Sequence, residues 1–427
     1  MRLGGRLQAA IEILQVFESK KRPVGEIFKD WGRSHRFAGS KDRAAIGHMV
    51  YDVLRQRASL AYLMDSDKAS DLVFAAFLKD ANISLSQLDD LLSTESHLIH
   101  SITEPQRHAW QSRDLSNAPF HIKADVPSWI VPFLPAYEPL LLLKEMEAYR
   151  LRPGVDLRLN FLKKQAKAFE DLLCLTRGMI PQWFVQALRI KPVKGMDKQL
   201  NLQNHEAYLT GLFEIQDLGS QILAHLAGVE KTETILDYCA GAGGKSLAFA
   251  ASMENQGKIY AFDADKKRLK PIFNRIERAG VCNIQVIQEK DDLKSLIGKI
   301  DRVICDVPCS GSGTWRRHPD TKWLLSEKHL QQRQESQFQI LEEASIYLKP
   351  RGKLIYMTCS LFPCENDYQI KKFLKTNGAF SHYDMRMHWK KDMGEEAPMP
   401  YFTEYGIALS PFKTNTDGFY FSILEKR

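Results

Sequence analysis

Two cysteines and an aspartate carry the side chains best suited to covalent chemistry. Asp306-Val307-Pro308-Cys309-Ser310-Gly311-Ser312-Gly313-Thr314 follows the apolar run DRVICD, and Thr358-Cys359-Ser360 follows KLIYMT. A thiol turns into a nucleophile when it sits in a polar, partly open setting at the end of a regular element. Covalent attack then splits one difficult step into two easier ones, with a neighbouring acid such as Asp306 managing charge or protons. Cys174, Cys282 and Cys305 read instead as small apolar residues, and Cys364 has no assignment. Seven cysteines without a CxxC pair point to free thiols in a reducing compartment. No histidine cluster has metal-ligand spacing, so no metal is expected.

A second constellation lies upstream. Ile235-Leu236-Asp237 runs through Tyr238 into Cys239-Ala240-Gly241-Ala242-Gly243-Gly244-Lys245, followed by Ser246 and an apolar helix. Glycines at a strand-to-helix crossing let the backbone turn tightly and approach a ligand at the helix start. Asp263 closes the next strand 20 residues after Gly243, where a carboxylate can bind ribose hydroxyls. Two nucleotide fingerprints fail at one defining position each. GxGxxG from Gly241 meets Ser246, and GxxxxGK[ST] ending at Ser246 meets Cys239. The loop therefore suits a nucleoside ligand without a pyrophosphate or triphosphate, such as S-adenosylmethionine.

The elements that must position these residues alternate. TILDYC, KIYAFD, NIQVI, DRVICD and KLIYMT are short apolar runs with helical stretches between most of them, the pattern of a doubly wound α/β sheet. Loops at the carboxyl ends of such strands border the ligand crevice, which puts Cys309 and Cys359 on one rim. GFYFSILE reads as a further strand, antiparallel at or near the edge. Upstream, Leu7, Ala10, Ile11, Leu14 and Phe17 recur at helical spacing, as do Ile46, Met49, Val50, Val53 and Leu54, with Ser40 as an N-cap. Prolines crowd residues 119–139. Three domains are expected: helical 1–145, a small mixed α/β segment 146–210 containing the strand DLRLNFL, the helix QAKAFEDLLCL and several lysines, and the α/β domain 211–427.

The formal net charge is +7, and residues 1–60 alone hold 12 Lys and Arg against 6 Asp and Glu. Cations interleaved with Phe28, Trp31, Phe37 and Tyr51 suit a polyanion, although a solvated basic face has the same composition. No long apolar window spans a membrane and no signal-type stretch opens the chain, so a cytoplasmic protein is expected, with a monomer as the default.

ILDYCAGAGGKS, AFDADKKRL, DVPCSGSGT, TCSLFPCEN and TDGFYFSIL occur in order over the last 220 residues or so, and together they resemble the Nop/Sun family of RNA cytosine-5 methyltransferases. The resemblance implies a Rossmann-like class I domain with a mostly parallel seven-stranded sheet that binds S-adenosylmethionine. It also implies an RNA substrate and an N-terminal domain of NusB-like, RNA-binding kind. Under it, Cys359 attacks carbon 6 of cytosine, and Cys309 helps release the methylated RNA. Residues 239–245, Asp263 and Asp306 hold the cofactor, Asp306 lying between cofactor and base. Ala242 departs from the proline of many relatives, and the third strand lacks the usual Asp, leaving Glu289 or Asp291, of which spacing favours Glu289. RRHPDTKW looks most like bacterial members that act on 16S ribosomal RNA, and Arg316, Arg317 and His318 could contact phosphates or cap a helix. Arg158 and Asn160 offer further RNA contacts, or are plain strand residues. Transfer RNA as substrate and a catalytically silent RNA-binding factor are the competing readings. Retention of both cysteines and the glycine loop argues against the second.

Overall fold

The computed structural model describes residues 1–93, 100–163, 166–192 and 200–427. The chain divides into two compact units. One contains Met1–Pro153 and Thr314–Ser326, and the other Gly154–Lys191, Leu200–Gly313 and Glu327–Arg427. Gln165 of the expected helix, and Lys194 and Lys198 of the lysine-bearing stretch, lie outside the described residues.

The first unit is helical because its apolar residues recur every three or four positions and so line one face of each helix. Helix Leu3–Lys20 buries Leu7, Ala10, Ile11, Leu14 and Phe17, and helix Ser40–Arg55 buries Ile46, Met49, Val50, Val53 and Leu54. Both pack against helix Ala69–Ala81, which is buried from Ala69 to Leu78. Ser40 is the first helical residue rather than the cap. Gly39 holds the cap position and no side chain bonds there.

Thr314–Ser326 belongs to this unit, which the local sequence does not reveal. Trp323 Nε1 donates to the carbonyl of Leu54 at 2.8 Å, and Lys322 Nζ to that of Arg55 at 2.9 Å. Arg55 Nε returns a bond to the carbonyl of Arg316 at 2.8 Å, and Asp320 accepts from Val24 N–H at 3.0 Å. Arg316 is buried, so it anchors this segment instead of facing solvent. Burial pushes the Lys322 ammonium down to about 7, against the pull of Asp125.

The second unit has two sheets. In the small one, β1 (Val155–Leu159) lies between β2 (Ala187–Ile190) and β3 (Phe213–Ile215), all antiparallel, beside helix Ala166–Thr176. Arg158 and Asn160 are both buried here. Asn160 Nδ2 donates to the carbonyls of Gly211 and Ala279 at 2.9 Å each, so it ties the small sheet to the large one.

The large sheet contains β4 (Thr234–Asp237), β5 (Lys258–Phe262), β6 (Ile284–Ile287), β7 (Ile300–Asp306), β8 (Leu348–Thr358), β9 (Phe380–His382), β10 (Tyr401–Phe402), β11 (Ile407–Leu409) and β12 (Phe419–Lys426). The order β6-β5-β4-β7-β8 is parallel throughout, and β12 continues it antiparallel to β8. Side chains alternate between two buried layers. Ile235, Ile304 and Ile355 face helices Leu218–Leu226 and Gly244–Ser252, while Leu236, Val303, Cys305 and Leu354 face helices Glu327–Ser345 and Asp367–Thr376. Helices on both faces explain why the central strands read as unbroken apolar runs.

Among the described residues the sheet has nine strands, not the seven expected. The outer edge of β12 is shared: β11 pairs with Phe419–Phe421, β9 pairs with Leu424–Lys426, and β10 adds a hairpin to β11. These strands of two or three residues are too short to show a period, and they cover β12, so GFYFSILE is not an edge. No helix among the described residues is long and apolar enough to cross a membrane.

Candidate active site

From β4 the chain winds outward through β5 and β6, then returns to place β7 on the other side of β4. The sheet reverses direction at that point, and a crevice opens beyond the strand ends. Asp237 ends β4 and Asp306 ends β7, and both line a cleft together with Cys239, Ala240, Gly241, Ala242, Gly244 and Lys245. Gln216, Ser220, Arg268 and Arg275 also line it.

The glycine loop needs its glycines. Gly241 and Gly243 have φ of +52° and +81°, and a Cβ at Gly243 would lie 2.4 Å from Ile272. The turn also delivers the N-terminus of helix Gly244–Ser252 to the cleft. Asp263 is buried beside the loop, where its two oxygens accept from Gly241 N–H and Asp265 N–H at 2.8 Å each. Arg268 approaches the same carboxylate at 3.9 Å. Glu289 stands apart: it is exposed, paired with Lys266, and does not line the cleft.

Charge is concentrated at the cleft floor. Lys245 Nζ donates to Asp306 Oδ2 at 2.6 Å. Burial disfavours this ammonium, but Asp306, Asp237 and Cys359 together outweigh it and hold its pKa above the ordinary value. Burial, opposed by the bond from Ser246 and reinforced by Asp306, pushes the Asp237 carboxyl up to about 7. Its Oδ2 accepts from Ser246 at 2.6 Å, and its buried Oδ1 has no partner.

The two thiols meet because β7 and β8 are parallel neighbours. Cys309 Sγ and Cys359 Sγ lie 3.3 Å apart across 50 residues of sequence. The bond to Cys359, burial and the nearby Glu365 carboxylate hold the Cys309 thiol well above the usual range. Gly313 N–H donates to the Cys359 carbonyl at 2.9 Å, and a Cβ at Gly313 would strike Gly418 O at 2.0 Å, so the two loops pack backbone to backbone.

Sequence reasoning missed the group that joins these loops. Glu365 is fully buried and accepts from Ser310 N–H at 2.8 Å, from the hydroxyls of Ser310 and Ser360 at 2.5 Å each, and from Gln337 Nε2 at 2.9 Å. Ser310 follows Cys309 and Ser360 follows Cys359, so one carboxylate fixes both thiol-bearing turns. Asn366 adds a second brace, accepting from Thr358 Oγ1 at 2.6 Å and donating to the Ser360 carbonyl at 2.9 Å. The available signal was the CEN triplet closing TCSLFPCEN, where two polar residues end an otherwise apolar turn.

A neutral thiol touching a second thiol, beside a cleft that offers glycine backbone, an orphan carboxylate oxygen and a lysine–aspartate pair, suits covalent attack next to a bound nucleoside. The donor set fits a sulfonium nucleoside, since the floor is acidic and the loop has room for backbone contact. Among the described residues no group of three or more His, Cys, Asp or Glu could hold a metal ion.

Residues 224–425 match a family model described as 16S rRNA methyltransferase RsmB/F. The ribosomal RNA small subunit methyltransferase B of Shewanella oneidensis is 34% identical over 222 residues, covering 51% of this chain and 49% of that protein. The enzyme of the same name from Pasteurella multocida is 30% identical over 313 residues, 70% of this chain and 65% of that protein. The matches thus span less than two thirds of these relatives. Among solved structures, the crystal structure of PH0851 aligns over 100% of this chain and 99% of its own with a TM-score of 0.75 at 21% identity. NSun6 from Pyrococcus horikoshii with SFG aligns over 67% and 94% with a TM-score of 0.57 at 20% identity. These two likenesses support the fold, and the sequence matches bear out the resemblance carried by the motifs.

Proposed function

We propose that this chain, whose C-terminal half matches the RsmB/F methyltransferases, is an S-adenosylmethionine-dependent RNA (cytosine-5)-methyltransferase that acts on 16S ribosomal RNA. The observation that carries the reading is the 3.3 Å approach of Cys309 and Cys359 on neighbouring strand ends, beside the glycine-loop cleft. The names of the relatives supply the substrate class, and the helical unit, which we read as NusB-like, supplies a basic surface for it.

Carbon 5 of cytosine is a poor nucleophile until the ring is activated by addition at carbon 6. In this reading the Cys359 sulfur supplies the electron pair for that bond, and the ring's own π pair becomes available at carbon 5. Asp306 would lie at the N3 and 4-amino edge as the acid through which a proton meets the electron density gathering on N3. When bound, S-adenosylmethionine supplies an electrophilic methyl group. Cys239–Lys245 and Asp263 would hold that cofactor, Lys245 would keep Asp306 oriented, and Glu289 would approach the nucleoside only after leaving Lys266. Loss of the carbon 5 proton to a base then restores the ring double bond and expels Cys359. Cys309, 3.3 Å from Cys359, would pass its S–H proton to the departing sulfur and take the carbon 5 proton in its place as that base, so that both cysteines end as thiols.

The test is a denaturing gel of Cys309→Ala purified from growing cells, with and without ribonuclease. A slow band that collapses on ribonuclease treatment is the expected result. Absence of the band, together with absence of methyl transfer by the unaltered protein, would overturn the enzyme reading. Absence of the band with an active parent would remove Cys309 from the release step alone.

A further inference from the structure

The helical unit holds a cavity that the chemistry above does not use. It measures about 690 Å³, and Arg2, Gln8, Glu12, Trp31, His35 and Phe37 supply its functional lining. That volume is of the size that admits a flat heterocycle. The cavity lies at the centre of the chain's charge surplus, between helices Leu3–Lys20 and Val24–Ser34 and the turn that follows the second.

The aromatic rings form an ordered ladder. Phe28 stacks on Trp31 with centroids 6.2 Å apart, Trp31 on His35 at 4.3 Å and an interplanar angle of 9°, and Phe37 meets the edge of His35 at 5.7 Å. The ladder runs from a buried tryptophan to a phenylalanine that is 70% exposed. Exposure alone would mean little, but this turn is held. Arg43 donates from Nε to the Ala38 carbonyl and from its terminal nitrogen to the Gly32 carbonyl, each at 2.8 Å. His35 Nδ1 lies 2.9 Å from the Trp31 carbonyl, and Ala38 N–H donates to the His35 carbonyl at 3.1 Å. A phenylalanine fixed in water by its own backbone is a preorganised apolar surface.

The polar lining is selective in kind. Glu12 accepts from Trp31 Nε1 at 3.3 Å and from Gln8 Nε2 at 3.2 Å, and its oxygens retain lone pairs for amino or imino groups of a ligand. Within a few residues of this lining in sequence, Arg33, Arg36 and Lys41 are exposed, and Arg36 and Lys41 have no carboxylate partner among the described residues. Aromatic faces for stacking, an acceptor for ring N–H groups and cations spaced outside the cavity are the three components that bind an unpaired base on its phosphate backbone.

We propose that this cavity is a subsite for one unpaired nucleobase of single-stranded RNA, stacked on His35 and Phe37 with its polar edge toward Glu12 and its flanking phosphates on Arg33, Arg36 and Lys41. The proposal rests on the reading of the protein as an RNA enzyme and adds to it a contact of the helical unit. The probe is a single-stranded RNA oligonucleotide from 16S ribosomal RNA carrying 4-thiouridine, irradiated with the full-length protein and mapped by mass spectrometry.

Crosslinks within Trp31–Phe37 are expected. Phe37→Ala and His35→Ala should each weaken RNA binding by about tenfold or more, with an unchanged salt slope. Arg36→Gln with Lys41→Gln should lower that slope instead, by about one to two units. Phe37 is mostly solvated, so its loss leaves the core intact. Crosslinks confined to other segments, or unaltered affinity in both aromatic variants, would overturn the subsite while leaving the enzyme reading standing. Failure of the unaltered protein to bind any RNA would instead overturn that reading and the subsite with it.

Discussion

The two units treat polar groups in opposite ways. In the α/β unit the informative side chains are buried or half-buried and cross-braced: Asp237, Lys245, Asp306, Cys309 and Glu365 each sit against another charge, hydroxyl or thiol. In the helical unit the groups suited to binding stand in water, as Phe37, Arg33, Arg36 and Lys41 do, and of these cations Arg33 alone has a carboxylate partner among the described residues, the exposed Asp30. Under the proposed function the difference corresponds to two tasks. Bond-making needs groups held within tenths of an ångström in a water-poor cleft. Capture of a flexible polyanion needs charge and flat surfaces within reach of solvent.

The contrast would break most visibly at Cys359. Cys359→Ala should abolish methyl transfer while leaving cofactor affinity nearly unchanged, measured by labelled methyl incorporation and equilibrium dialysis. Turnover surviving in that variant would dissolve the distinction between a chemical unit and a binding unit.

Glu365→Ala is expected to come next. It strips the acceptor from three donors in two loops and a fourth on helix Glu327–Ser345, and should cost roughly 2–4 kcal/mol of stability, read as a drop in the denaturation midpoint. Glu365→Gln keeps one acceptor oxygen and should fall between. A loss below about 0.5 kcal/mol in the alanine variant would mean that the loops hold themselves.

The last effect concerns pH, and it sharpens the comparison because each unit holds a buried group whose pKa burial shifts to about 7. Asp237 has its folded pKa raised to about 7, so the folded state retains a proton that the unfolded chain releases from about pH 4 upward. Its contribution to stability is therefore complete in acid and lost as pH rises to 7. Lys322 has its folded pKa lowered to about 7, so between 7 and its ordinary value the unfolded chain binds the extra proton and stability rises with pH. Thermal scans should show Asp237→Asn flattening the acid-side slope and Lys322→Met flattening the alkaline one. Slopes unchanged in both would assign the pH dependence to other groups.

What could be read from the sequence follows from how local each feature is. The glycine loop, Asp263 and the helices of the first unit are set by neighbours within a few residues, and turn chemistry or period exposes them. The meeting of Cys309 and Cys359 is long-range, yet it was legible, because strand alternation fixes which loops share a rim. Glu365 was not singled out, since a glutamate by type belongs on the surface and only the assembled loops give it four partners. By type and position Arg316, Arg317 and His318 suit phosphate contacts or helix caps. In the structure Arg316 and Lys322 are swallowed by the helical unit, because Trp315 and Trp323 bring their neighbours inside with them. Glu289 was chosen by spacing, which locates a strand end but not where an exposed side chain on it points. The strands beyond the expected seven are too short for any period to mark them.

The central claim is that Cys359 bonds to a cytosine in RNA. The most direct measurement is peptide mapping of the ribonuclease-treated Cys309→Ala adduct by mass spectrometry. The account predicts a methylated cytidine nucleotide attached to the peptide containing Thr358-Cys359-Ser360. A nucleotide found on another cysteine, or an adduct that persists when Cys359→Ala is added to the same protein, would contradict it.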